Sequence, residues 1–325
     1  MRLAIVGAGG MGSFHARSLA ALPGVEIVAV ADPRIAAAES VTEIVGGKAS
    51  ADALAVAAMS DLDGLVIASP ETSHEELVHA ALGQGTRILC EKPLAVGAAA
   101  CQRIVDAEVA LGRRFLQLGL MRVFDPAHVQ LAAEVAELGK VKFVRCVHRN
   151  VHEVRRTAQL ILNQSCVHDI HSLRWLVGCE IKRVRTLATP NTDHVEHLLL
   201  IVEFEGSGHA TIEFSEHGFA YEVSVEVEAE LGDAVIAPVM RATVRRDGSA
   251  ILNIGTDWFA RFAEAYRIEA AAWVDSLSGP SAVGPSAFDG LVAERVVEAA
   301  IESLTTGQAV DVAMPATPGL YAGRT

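Results

Sequence analysis

The first 34 residues, MRLAIVGAGGMGSFHARSLAALPGVEIVAVADPR, constrain the fold more than any other stretch. Residues 3–6 form a short, fully apolar segment that reads as a buried strand. The turn Gly7-Ala8-Gly9-Gly10-Met11-Gly12 follows, then a helical pattern over about 11–22, then a second apolar strand over 25–31 that ends at Asp32. A G-x-G-x-x-G turn with a strand before it, a helix after it and an acid at the end of the next strand is the pattern of a dinucleotide-binding βαβ unit. Gly7 permits the tight turn, Gly9 lets the backbone approach a pyrophosphate, and Gly12 lets the helix lie close to the strand. The helix start offers free N–H groups and a positive dipole end to the phosphates. Asp32 is placed to accept hydrogen bonds from the adenosine ribose hydroxyls. A carboxylate there repels a 2′-phosphate, which favours NAD over NADP. Arg34, two residues on, either pairs with such a phosphate and softens that preference or is a solvated surface arginine.

The chain has 325 residues, enough for two domains and a large core. An apolar content of 51% against 21% charged residues is that of a folded globular protein. The formal charge of −13 argues against nucleic-acid and anionic-membrane partners. No apolar run reaches the length of a membrane span, and the N-terminus enters the first strand directly, leaving no room for a signal peptide. The five cysteines, Cys90, Cys101, Cys146, Cys166 and Cys179, are odd in number and contain no C-x-x-C pair. A disulfide framework is therefore not expected, and a cytoplasmic setting is.

The α/β alternation continues after Asp32. Helices are expected over 35–45, 51–58, 75–84 and 97–111, and strands over 48–50, 64–68, 87–90 and 114–118. This predicts a doubly wound parallel sheet, an α/β Rossmann domain, over residues 1–120. Asp32, Ser69 and Lys92 all fall at carboxyl ends of strands, where such sheets bind ligands. From 121 to 325 the pattern changes to an α+β domain with a large, mostly antiparallel open sheet. Its expected helices cover about 125–138, 165–177, 258–276 and 286–304, and its strands 141–150, 184–189, 197–204, 209–214 and 221–229. Val223, Val225, Val227 and Ala229 alternate with polar residues, giving one wet and one dry face. Helices on one face leave the other open, and burial against further copies of the chain, as a homodimer or homotetramer, is the economical solution.

A dinucleotide site beside a second domain suggests hydride transfer, which on an alcohol also needs removal of the hydroxyl proton. Lys92, between Glu91 and Pro93 at the end of a buried strand, is the first candidate: its ammonium would hydrogen-bond the reacting oxygen and stabilise alkoxide character. A plain surface lysine is the alternative. His168 is the second candidate, because an imidazole of ordinary pKa about 6.5 is a suitable neutral base. Gln164, His168 and His171 share one helix face by i, i+4 and i+3 spacing. The polar cluster tops a helix that is apolar further on. His168 and His171, with His148 and His152 on a preceding segment, also admit a zinc reading. No third ligand is placed by spacing, so no metal is expected.

The chain resembles the glucose–fructose oxidoreductase/inositol dehydrogenase/MocA family, and within it the myo-inositol 2-dehydrogenase branch. The resemblance is carried by Gly7 to Gly12, by Ser69-Pro70 with His74, and by Glu91-Lys92-Pro93-Leu94. It continues in His148-Arg149-Asn150, His168-Asp169-Ile170 with Arg174-Trp175-Leu176, Asp257-Trp258 with Ala265-Tyr266, and Asp289-Gly290. It implies Lys92 and His168 as the catalytic pair, with a cis Pro93 at the cofactor. It implies that Ser69, His74 and Glu91 lie along the nicotinamide half, so that with Gly7, Gly9, Gly10, Met11, Gly12, Asp32, Arg34, Pro70 and Lys92 they are the expected cofactor site. His148, Asn150, Tyr221 and Tyr266 would line the polyol pocket. Two positions depart from the family pattern, which has aspartate where this chain has Gln164 and His171. Both changes remove a negative charge. Gln164 still orients His168 but cannot stabilise an imidazolium as a carboxylate does. The expected function is therefore an NAD-dependent dehydrogenase of a cyclic polyol or sugar whose recognised groups differ from those of myo-inositol, such as a glycoside or sugar acid. A keto-sugar reductase and a non-catalytic dinucleotide-sensing regulator are the competing readings.

Overall fold

The computed structural model describes all residues except 152–155, 191–193, 207, 219, 238–242, 247–248, 253–255 and 323–325. It contains two compact units. The first comprises Met1–Met121, Tyr266–Glu294 and Pro315–Thr325, and the second Arg122–Ala265 and Arg295–Met314.

In the first unit, apolar strands alternate with helices in the order β1 (Arg2–Val6), α1 (Gly10–Ala20), β2 (Glu26–Ala31), α2 (Ile35–Val45), β3 (Lys48–Ser50), α3 (Ala53–Ala57), β4 (Gly64–Ile67), α4 (His74–Gln84), β5 (Arg87–Cys90), α5 (Ala98–Leu111) and β6 (Leu116–Leu118). The strands form one six-stranded sheet in the order β3-β2-β1-β4-β5-β6. Every pairing in it is parallel. The order reverses between β1 and β4, and ligands bind at such a switch point, outside the carboxyl ends of the strands. β4 and β5 are buried along their whole length, as strands covered on both faces must be. Trp273, which returns late in the chain, is fully buried among Leu3, Ile5, Val66 and Leu89, and this packing joins the later segment to the first unit.

The second unit opens with α6 (Pro126–Glu137), capped by the Asp125 carboxylate, which accepts from the His128 N–H, with proline at the first turn. Then come β7 (Val141–Val151), α7 (Ala158–Ile161), a π-helical turn over Leu162–Cys166, and α8 (Val167–Val177). The helix expected from about 165 thus begins earlier, where the Thr157 hydroxyl accepts from the Leu160 N–H. β8 (Ile181–Thr189), β9 (His197–Phe204), β10 (His209–Gly218), β11 (Glu222–Ala229) and β12 (Asp233–Ile236) follow, with the small hairpin β13 (Thr243–Arg246) and β14 (Ser249–Leu252). The chain then forms α9 (Trp258–Ser276), α10 (Ala287–Thr306) and β15 (Val310–Asp311).

The large sheet has seven strands in the order β12-β11-β7-β10-β9-β8-β15. Its pairings are antiparallel except β7 with β10, which is parallel, so the sheet is mixed and mostly antiparallel. The strands alternate as the sequence alternates: Val223, Val225, Val227 and Ala229 of β11 are buried while Glu226 and Glu228 are exposed. Among the described residues, no helix is long and apolar enough to cross a membrane.

Candidate active site

In the first unit the glycine turn follows β1 as expected. Gly7 has φ +95°, and a Cβ there would lie 2.4 Å from the Ala68 carbonyl oxygen at the end of β4. A Cβ on Gly12 would meet the Gly7 carbonyl oxygen at 1.7 Å, so only glycine lets α1 start this close to the turn. Gly9 and Gly10 instead face open space. Gly9 is the N-cap of α1 and no side chain caps the helix, so the first N–H groups are left for a ligand. This open cradle at an uncapped helix start fits the pyrophosphate of a dinucleotide.

Asp32, at the end of β2, is buried and accepts from the Ala8 N–H and the Arg34 N–H, both at 2.9 Å. Burial opposes its ionisation, but these hydrogen bonds and the Arg34 guanidinium hold its carboxyl below the ordinary value. An ionised carboxylate at this point accepts from ribose hydroxyls. The Arg34 side chain is largely solvated, with its Nε 3.4 Å from Asp32.

Ser69-Pro70 follows β4, and the Ser69 and Ser73 hydroxyls lie 2.7 Å apart. The buried His74 ring spans the Ser69 carbonyl oxygen (2.8 Å from Nε2) and the Pro93 carbonyl oxygen (2.9 Å from Nδ1), tying the turn after β4 to the turn after β5. The Lys92–Pro93 peptide is cis.

Beneath that turn lies a polar group that the sequence did not suggest. His15 of α1 donates from Nε2 to Glu91 at 2.8 Å, both side chains buried, and the Lys92 N–H donates to the other Glu91 oxygen at 3.3 Å. Burial works against the Glu91 charge, yet His15 and Lys92 hold its carboxyl below the ordinary value. Glu269, fully buried on α9, has no hydrogen-bond partner for either oxygen among the described residues. Burial, and then the Glu91 charge, push its pKa well up. Tyr266 also belongs to this unit, edge-on to Phe14 with ring centroids 5.6 Å apart.

The second unit holds the other polar site. The Arg122 guanidinium donates to one Asp169 oxygen at 2.5 Å, and His148 Nδ1 lies 2.8 Å from the other. All three groups are buried. Burial disfavours the Asp169 charge, but Arg122 and His148 hold its pKa at about 2. Burial pushes the His148 pKa down despite Asp169. The Tyr221 ring stands edge-on to His148 at 5.8 Å, and burial raises its hydroxyl to about 12. Beside them Asp125 accepts from both Arg261 nitrogens at 2.8 and 3.1 Å and from His128.

His168 and His171 are buried on α8, within the same helical run as Asp169. Gln164 is half-buried in the preceding π turn, so its i, i+4 relation to His168 spans an irregular helical turn rather than a regular one. Such turns recur at functional sites. Asn150 lies two residues beyond His148 on β7 and shares its side of the strand. Among the described residues no group of three or more His, Cys, Asp or Glu is arranged to hold a metal ion; His152 lies outside them.

Of the expected residues, the first unit gathers the glycine turn, Asp32, Ser69, His74, Glu91, Lys92 and Tyr266. The second gathers His148, Asn150, Gln164, His168, His171 and Tyr221. Arg122, Asp169, His15 and Glu269 were not foreseen. Two of them stand beside recognised residues: Asp169 follows His168, and Arg122 follows directly on the Rossmann segment.

Two family models cover most of the chain. That of an oxidoreductase family with an NAD-binding Rossmann fold matches residues 1–119, and that of the same family's C-terminal alpha/beta domain matches residues 136–312. Inositol 2-dehydrogenase 1 of Saccharopolyspora erythraea is 36% identical, with 99% of each chain covered. The inositol 2-dehydrogenase of Rubrobacter xylanophilus is 37% identical over 98% of this chain and 94% of that protein. The crystal structure of Lactobacillus casei myo-inositol dehydrogenase with NAD(H) and myo-inositol superposes with a TM-score of 0.93 at 25% identity, covering 99% of both chains.

Proposed function

The chain belongs to the glucose–fructose oxidoreductase/inositol dehydrogenase/MocA family of oxidoreductases, and from that membership we propose that it oxidises one ring hydroxyl of a cyclitol or cyclic sugar. It is an NAD-dependent oxidoreductase acting on CH–OH donors. NAD, when bound, supplies the hydride acceptor. Gly7, Gly9, Gly10, Met11 and Gly12 hold its pyrophosphate, and Asp32 its ribose hydroxyls.

The chain's own residues then deal with the hydroxyl proton. Lys92 hydrogen-bonds the reacting oxygen, and its charge favours the alkoxide character that develops as the C–H bond weakens. His168 accepts the proton. His148, Asn150 and Tyr221 hold the remaining ring hydroxyls. With Gln164 and His171 at positions where the family pattern has aspartates, this site carries two fewer negative charges. It therefore suits a ring bearing an acceptor-rich or anionic substituent, such as a glycoside or a sugar acid, better than myo-inositol. The observation that carries this reading is the second unit's buried group of ionised and hydrogen-bonding side chains, which an apolar core has no use for.

The enzyme works in the cytoplasm, where its five free cysteines stay reduced. It is a homodimer or homotetramer assembled through the outer face of the seven-stranded sheet, where Leu187 of β8 and Ile201 of β9 are exposed and the Arg145–Glu213 and Arg149–Glu222 pairs lie on the neighbouring strands. Light scattering that returns a monomer would exclude this assembly.

The test of function is the absorbance of reduced nicotinamide with a panel of cyclitols, sugars, glycosides and sugar acids. We expect turnover, with myo-inositol not the best substrate, and loss of turnover in His168→Ala with NAD binding unchanged. If myo-inositol is turned over most efficiently, the specificity assignment fails. If NAD binds and nothing on the panel is oxidised, the dehydrogenase reading gives way to a dinucleotide sensor.

A further inference from the structure

We propose that Asp169 is a positioning residue of the polyol site: it holds the His148 proton on Nδ1 and so makes Nε2 a fixed hydrogen-bond acceptor for a substrate hydroxyl or amine. The inference rests on the reading that His148 lines the polyol pocket.

The argument begins with three side chains from three separate stretches. Arg122 comes from the turn after β6, His148 from β7 and Asp169 from the first turn of α8. None is more than 3% exposed. The Asp169 carboxylate is ionised, because Arg122 and His148 outweigh the burial that opposes its charge. An ionised carboxylate can only accept. The 2.8 Å contact between Asp169 and His148 Nδ1 therefore requires the proton on Nδ1. The competing contact, Arg122 Nη2 to the same nitrogen at 3.4 Å, is too long to reverse this.

Burial keeps the His148 imidazole neutral, and a neutral imidazole has one N–H. Nε2 therefore carries the lone pair. The ring cannot readily flip to exchange its nitrogens. Phe214 and Tyr221 stand edge-on to it, with centroids 5.1 and 5.8 Å away, and the Asp169 bond would break.

A fixed acceptor selects by the direction of the hydrogen bond. A ring hydroxyl donates to Nε2, whereas a keto oxygen or a methyl ether at the same ring position has no proton to give. A buried polar atom left unmatched discriminates strongly, so this nitrogen sets which ring position must remain a free hydroxyl. Asp169 acts only through His148.

The experiment is nitrogen-15 NMR of histidine-labelled wild-type protein at pH 7, with His148 assigned by comparison with His148→Gln. The expected spectrum is that of a neutral ring protonated at Nδ1. In Asp169→Asn the amide can donate to Nδ1, and the proton should move to Nε2. In the same variant KM for the preferred polyol should rise at least tenfold, with the dissociation constant for NAD unchanged. A wild-type ring protonated at Nε2, or at both nitrogens, overturns the inference, and this needs no variant to fold. An unchanged KM in a variant whose ring has switched overturns the role in recognition. If no polyol is oxidised by the wild type, the functional reading fails separately, and the NMR result still decides the tautomer.

Discussion

Glu269 offers the sharpest quantitative test of the first unit. It is fully buried, neither oxygen has a partner among the described residues, and the Glu91 carboxylate is close enough to oppose its ionisation. Its folded pKa is therefore well above the ordinary value of 4.5. The sign of the consequence follows from proton counting. Above the ordinary value the unfolded chain has released this proton while the folded chain keeps it. The stabilisation is complete below the unfolded pKa and is lost as pH rises towards the folded one. Within that window the loss is about 1.4 kcal/mol per pH unit.

Glu269→Gln preserves the shape and removes the titration. The amide's own burial cost is the same at every pH, and all other groups are common to both proteins. The unfolding free energy of the variant relative to wild type should therefore improve as pH rises above the ordinary carboxyl range, by at most about 1.4 kcal/mol per pH unit. Urea unfolding followed by tryptophan fluorescence at several pH values measures this difference. Two parallel pH profiles would refute the reasoning, because they would mean that Glu269 ionises in the folded protein as easily as in the unfolded one.

Two further outcomes are expected. Gly12→Ala places a Cβ 1.7 Å from the Gly7 carbonyl oxygen, so the turn must shift, and the affinity for NAD measured by calorimetry should fall at least tenfold. Trp273→Ala empties a fully buried ring site in the core between the sheet and α9, at a cost of about 3–5 kcal/mol in denaturant unfolding.

The Rossmann unit was legible because its signals are local. Each strand is a short apolar run, each helix has its own periodicity, and the glycine turn and Asp32 sit within one βαβ stretch. The element bounds shift by only a few residues between the sequence reading and the structure. The strands of the second sheet were legible through alternation in the same way, as at Val223, Val225 and Val227. The parallel pairing of β7 with β10 was not: alternation says which face a residue takes but not which neighbour its strand finds. The early start of the helical run at Ala158 and the π turn after it were also missed, because its cap, Thr157, has no distinctive partner nearby in the chain.

The candidate site divides along the same line. Sequence alone determined the glycine turn between β1 and α1 with Asp32 at the end of the next strand, and it singled out Lys92 and His168 as candidates for the chemistry. The tertiary structure decided that Asp169 faces Arg122 and His148, that His15 reaches Glu91, that Tyr266 joins the first unit and that Glu269 has no hydrogen-bond partner among the described residues. A turn or a helix face is set by residues within a few positions of one another. A buried charge, in contrast, takes its partner from whichever segment the topology brings beside it, and 47 residues separate Arg122 from the carboxylate that neutralises it.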